Sequence, residues 1–186
     1  MIKYVEVNGA AKILVEVELE LSEPIEQPDV AAASYKGFNV PEGPLLSGLP
    51  DAIADSQAIA DYEAFIESVQ DLITDYYDLK IYYKNSSPDH SYYFGMLAQD
   101  ADGRTILDFD FTLRISNHPA HRSQQSQFNK KERKAELARL TDGKKTKPIT
   151  KSIIVNKEVC KDYEEAYQLV DSTIESVVKI MKRSSD

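Results

Sequence analysis

The chain reads as an α+β domain, a mostly antiparallel sheet packed by a long acidic helix and a C-terminal helix. Three observations predict this. Apolar and polar residues alternate in short runs such as "SYYFGMLAQ" and "RTILDFDFTLRIS", joined by links of hairpin length. Two long segments instead carry apolar residues at helical spacing. The order (strands, helix, three strands, helix, strand, helix) favours an antiparallel sheet with its helices on one face. At 186 residues, a single domain spanning 1–186 is expected, long enough to bury a sizeable core.

The elements follow in order. "IKYVEV-NG-AAKILVEVELEL" reads as a hairpin, because Asn8-Gly9 suits a type I′ turn and Val15, Val17, Leu19 and Leu21 alternate with acids. A short strand is expected over Val30–Tyr35. "GFNVPEGPLLSGLPD" is rich in Gly and Pro and should be irregular. A long helix is predicted from Asp51 to about Tyr77. Its apolar stripe is Ile59, Tyr62, Ile66, Val69, Ile73 and Tyr76. Three strands come next, over 79–85, 91–99 and 104–116. On the third, Leu107, Phe109, Phe111, Leu113 and Ile115 should share one face, and Asp108, Asp110, Thr112, Arg114 and Ser116 the other. A basic helix over Phe128–Leu140, a loop "TDGKKTKP", a strand over 149–156 and a helix over Asp162–Lys182 complete the chain. That last helix has the stripe Tyr163, Tyr167, Val170, Ile174, Val177 and Met181.

The net charge of −9 conceals a division along the chain. Residues 1–112 carry 21 acids and 6 bases, whereas residues 113–186 carry 10 acids and 16 bases. Such asymmetry bears on partners rather than on fold. No apolar run reaches the roughly 18 residues of a membrane span. The N-terminal segment lacks the pattern of a signal peptide. Both features predict a cytoplasmic protein with no membrane association. The single cysteine, Cys160, allows no internal disulfide and no Cys-rich zinc site, and no metal site or cofactor is expected. There is no P-loop, GxGxxG, GxSxG or CxxC.

Four groups of residues can carry chemistry or binding. The stretch "TLRISNHPAHRSQQSQFNKK" holds His118 and His121, flanked by Arg114 and Arg122. Two histidines can supply a base and an acid for phosphodiester cleavage, with an arginine on the developing charge, and the Asp108/Asp110 pair offers the less favoured alternative of holding a divalent ion. A solvated strand end and polar loop is the plainer alternative. Lys130, Lys131, Arg133, Lys134, Lys144 and Lys145 form a basic segment able to follow a phosphate backbone, the alternatives being a solvated helix and loop or a cover for the protein's own acids. Paired tyrosines at 76/77, 82/83 and 92/93 can serve as core, as stacking platforms or as interface anchors, and adjacent strand residues should point to opposite faces. Finally, Glu63, Glu67, Asp71 and Asp75 sit four apart on the predicted helix. Their rise of about 6 Å per step is of the order of phosphate spacing along one nucleic-acid strand, although a solvated acidic helix is the commoner reading of such a row.

"LRISNHPAHR" (Leu113–Arg122) resembles a strand-end motif of small phage and mobile-element proteins, with Arg, an aliphatic, Ser, Asp or Asn, then His. Asn117 stands where Asp is frequent. Type II anti-CRISPR proteins are among small acidic proteins of this kind. The resemblance implies an anti-defence inhibitor that binds a host nuclease or ribonucleoprotein complex. Its acidic helix would face a cationic groove, and its basic segment would hold RNA or DNA. Two further readings stand beside it: a nuclease acting on RNA through His118 and His121, and a non-catalytic nucleic-acid-associated accessory protein.

Overall fold

The computed structural model describes residues 2–7, 11–16, 34–49, 56–120 and 124–183, with side chains over 34–49, 56–120 and 130–182. The chain divides into two compact units, Met1–Ala31 and Ala32–Asp186. In the first, β1 (Ile2–Val7) and β2 (Ala11–Glu16) pair antiparallel, with Ile2 opposite Glu16 and Val7 opposite Ala11. This is the predicted hairpin. Its Asn8-Gly9 turn, and its predicted continuation to Leu21, lie outside the described residues.

The second unit opens on a two-stranded ribbon, β3 (Ser34–Tyr35) and β4 (Phe38–Asn39). Lys36 and Gly37 take φ of 51° and 87°, the pair of positive values a type I′ turn requires. The predicted strand over 30–35 is described only from Ser34. Phe38–Asn39 was expected to be irregular, but the tight turn folds the chain straight back into pairing. Helix α1 (Ser56–Asp71) runs directly into one π-helical turn, Leu72–Tyr76. The predicted start at Asp51 lies outside the described residues.

The central sheet has the order β5-β6-β7-β8, made of Leu79–Ser87, Ser91–Gln99, Thr105–Ser116 and Lys147–Ile154. The first three strands are antiparallel, and β8 lies parallel to β7. Helix α2 (Gln124–Leu140) makes the crossover that a parallel pair needs, and α3 (Tyr163–Arg183) ends the fold. The fold is α+β with a mostly antiparallel sheet, as the residue patterns predict.

One sheet face carries Phe94, Met96, Phe111, Leu113, Ile115 and Ile153, all buried. Against it pack Tyr62, Phe65, Ile66 and Val69 of α1 and Tyr163, Tyr167, Val170 and Ile174 of α3. Each fully buried side chain of this size is worth about 1.5–3 kcal/mol of hydrophobic transfer. An aromatic seam joins the two helices: Phe65 lies 4.8 Å from Tyr167 and 5.2 Å from Tyr163, ring centre to ring centre. Helix α3 starts on a cap, where Asp162 Oδ1 accepts from Glu165 N (2.9 Å) and Glu165 Oε2 accepts from Lys161 N (2.6 Å).

Four local expectations are corrected. The helices do not share one face: α2 lies on the other side of the sheet, held by Arg133 on Asp110 and Tyr82. The low apolar content of α2 is the reason, since a polar sheet face receives it through ionic and hydrogen-bonded contacts. Tyr77, not Tyr76, continues the buried stripe of α1; Tyr77 is 7% exposed and Tyr76 52%. The wider π turn, closed by Tyr77 N on Leu72 O (3.2 Å), rotates the following residues. Ile106, not Leu107, lies opposite Ala98 and packs against the core, because the β6–β7 register shifts between Met96 and Ala98. Tyr82 and Tyr83 do not face opposite ways. A bulge between Ile81 and Tyr83 lets both reach α2, Tyr82 at Arg133 and Tyr83 at Glu132.

Candidate functional site

His118 lies just past the end of β7 and is 1% exposed. Its Nδ1 is 2.8 Å from Pro119 O, and its Nε2 is 3.0 Å from Asp89 O and 3.3 Å from Asp89 Oδ2. Each ring nitrogen therefore faces an oxygen acceptor of the protein itself. The ring ties the end of β7 to the β5–β6 turn. Burial pushes the Asp89 carboxyl up, but hydrogen bonds from Ser87 and Ser91 and the charge of His118 outweigh it and hold it below the usual range. A general acid or base has to present a ring nitrogen to its substrate. Both nitrogens of His118 are turned inward. His121 and Arg122 lie outside the described residues.

Arg114 is 6% exposed. Its Nη2 donates to Ser91 Oγ (2.9 Å), and its Nη1 to His118 O (3.1 Å) and Ser152 Oγ (3.3 Å). Ser91 Oγ in turn donates to Ser116 Oγ (2.9 Å). Arg114 and His118 thus meet, but through a backbone carbonyl. Asn117 is buried as well. Its Nδ2 donates to Ser47 O (2.8 Å) and Leu49 O (3.0 Å), and its O accepts from Asn156 Nδ2 (2.6 Å). In this chain the motif's Asn locks the loop before α1 to the end of the sheet. Asp108 and Asp110 part company: Asp108 is exposed, whereas Asp110 is buried. Asp110 accepts from Arg133 Nη1 (2.8 Å) and Thr146 Oγ1 (2.6 Å). Among the described residues, no group of three or more His, Cys, Asp and Glu side chains is placed to hold a metal ion.

The basic segment divides in two. Arg133 is buried and commits Nη1 to Asp110 and to Tyr82 OH (2.9 Å), so it is the anchor of α2. Lys130, Lys131, Lys134, Lys144 and Lys145 are exposed. None of the five forms an ion pair among the described residues. They lie on the α2 side of the sheet or on the loop that follows it.

The acids of α1 lie on the opposite side. Glu63, Glu67, Asp71 and Asp75 are all exposed. None forms an ion pair among the described residues. Lys84 reaches α1, but it donates to Gln70 Oε1 (2.5 Å) and not to a ridge acid. Asp75 sits on the π turn and accepts from Thr74 Oγ1 (2.7 Å), so it is displaced around the helix from the row that Glu63, Glu67 and Asp71 define. Half-buried Tyr92 adjoins the row. Burial first, then the charges of Glu63 and Glu67, raise its hydroxyl above the ordinary value. The last turn of α1 has no base and the first has no acid. The acids therefore repel one another at four-residue spacing, by about 0.2–0.5 kcal/mol a pair, and Asp75, in the terminal π turn, opposes the helix dipole.

No protein-family model matches the chain, and no curated protein or solved structure matches it.

Proposed function

We propose that the chain is a binding inhibitor of a nucleic-acid-targeting nuclease complex, of the anti-defence kind that its strand-end motif resembles, and that it docks through the acidic row of α1. One observation carries this reading. The helix keeps Glu63, Glu67 and Asp71 exposed, mutually repelling and unpaired, at a cost to its own stability that packing of Tyr62, Phe65 and Val69 must offset. A rigid row of carboxylates with a rise of about 6 Å per step presents charge as a phosphate backbone does, and a cationic groove receives either. The inward-turned ring of His118 supports a binding role over a catalytic one.

The test is binding of the purified protein to a guide-loaded type II CRISPR nuclease at two salt concentrations. Binding is expected to weaken with salt and to disappear in the variant Glu63→Lys/Glu67→Lys/Asp71→Lys/Asp75→Lys. Undiminished binding by that folded variant removes the acidic row from the mechanism.

A further inference from the structure

A concave site lies on the far side of the sheet from the acidic row, between the last turns of α2, the loop 141–146 and the start of β8. Its volume is about 340 Å³. Arg133, Lys134, Lys144 and Lys145 line it, against a single carboxylate, Asp110. That carboxylate is already matched by Arg133 and Thr146. Lys134, Lys144 and Lys145 are exposed and form no ion pair among the described residues. The site therefore has a surplus of positive charge with nothing of its own to neutralise it.

Thr141 also lines the cavity. It is 2% exposed, and its Oγ1 has no hydrogen-bond partner among the described residues. Buried hydroxyls are ordinarily bonded, and one left without a partner calls for a reason. Asp142 and Gly143 take φ of 51° and 74°, and Gly143 N and Lys144 N close back on Ala138 O (3.0 Å) and Thr141 O (3.0 Å). Lys144 and Lys145 follow at once in the chain and line the cavity together with Lys134.

We infer that this cavity binds a phosphate group, with Lys134, Lys144 and Lys145 supplying charge and the Thr141 hydroxyl supplying a directed hydrogen bond. The phosphate can be a phosphomonoester terminus or a phosphodiester of a strand laid along α2. The inference does not depend on the acidic row, because the two sites lie on opposite sides of the sheet and share no residue.

The experiment titrates the full chain with inorganic phosphate, and with a short single-stranded oligonucleotide with and without a 5′-phosphate, following amide shifts of the loop 141–146. Saturable binding is expected, weakened by about tenfold or more in Lys144→Glu/Lys145→Glu. The salt dependence of strand binding should fall by about one unit of log–log slope per lysine removed. Thr141→Val tests the hydroxyl separately. It should bind several-fold more weakly yet melt no lower than the wild type without ligand, because the group removed has no partner to lose. Binding that requires the 5′-phosphate assigns the monoester, and equal binding of both strands assigns the backbone. No saturable shift up to several millimolar phosphate or strand, or binding unchanged by the lysine reversals, overturns the inference. Because the α1 acids are untouched in these variants, that result leaves the inhibitor reading standing.

Discussion

At the scale of single residues, two buried carboxylates organise the second unit. Asp171 of α3 accepts from Tyr35 OH (2.8 Å), Lys36 Nζ (2.8 Å) and Tyr77 OH, tying the β3–β4 ribbon and the end of the π turn to the last helix. Burial raises its carboxyl, but Lys36, Tyr77 and Tyr35 outweigh that and hold it below the ordinary value. The same contacts push the Tyr35 hydroxyl up to about 12, burial being the largest cause and Asp171 the next. A depressed acid stabilises the fold above its unfolded pKa, and that contribution is lost as pH falls through the folded value. With Asp89 depressed in the same sense, stability should drop on acidification below about pH 4. Urea titrations across pH check this, and Asp171→Asn should show a shallower acid limb. At neutral pH, Asp171→Ala should cost about 2–4 kcal/mol, since it strips charge-assisted hydrogen bonds from three partners. Asp110→Ala should cost about 3–5 kcal/mol by the same measurement, because it leaves Arg133 buried without its counter-ion and loosens α2.

At the scale of elements, the two charged helices are built on different terms. Helix α3 has a cap and a full apolar stripe, and α1 has the stripe but sets like charges four residues apart along its exposed side. Glu67→Gln/Asp71→Asn should therefore raise the melting temperature by a few degrees, corresponding to about 0.5–1 kcal/mol, and weaken partner binding at the same time. A lower melting temperature would contradict the view that these acids are a liability to the helix. The sheet carries its own test at Gly95, where a Cβ would lie 2.7 Å from Tyr82 Cζ. Gly95→Ala should cost about 1–3 kcal/mol, lifting the Tyr82 ring and with it the contact to Arg133. Periodicity made most elements legible, because the inner strands and helices α1 and α3 each bury one apolar face. It did not reveal the π turn, the two register shifts or the side on which α2 lies. Each of those depends on pairing between distant segments: Tyr77 on Asp171, Ile106 opposite Ala98, and Arg133 on Asp110.

At the scale of the whole second unit, the sheet separates charge. The acidic row of α1 stands outside one face, and the lysines of α2 and its loop stand outside the other. No helix among the described residues is long and apolar enough to cross a membrane. The charge division was visible in sequence, and so were Glu63, Glu67 and Asp71 of the acidic row, because exposed charges at fixed spacing need no tertiary partner to be recognised; the displacement of Asp75 by the π turn was not. The inward fate of His118 and Arg114 was not visible. Their partners, Asp89, Ser91 and Ser152, come from the β5–β6 turn and from two other strands, β6 and β8. Thr141 gave no signal at all, since a missing hydrogen bond exists only in three dimensions. The most direct test of the central claim is target-DNA cleavage by a guide-loaded type II CRISPR nuclease with increasing amounts of the protein, the guide RNA being followed on the same gels. The account predicts blocked cleavage with intact guide RNA, restored by the fourfold lysine substitution of the α1 acids and retained by His118→Ala protein that remains folded. Unblocked cleavage, or guide RNA shortened by the wild type but not by His118→Ala, would contradict it.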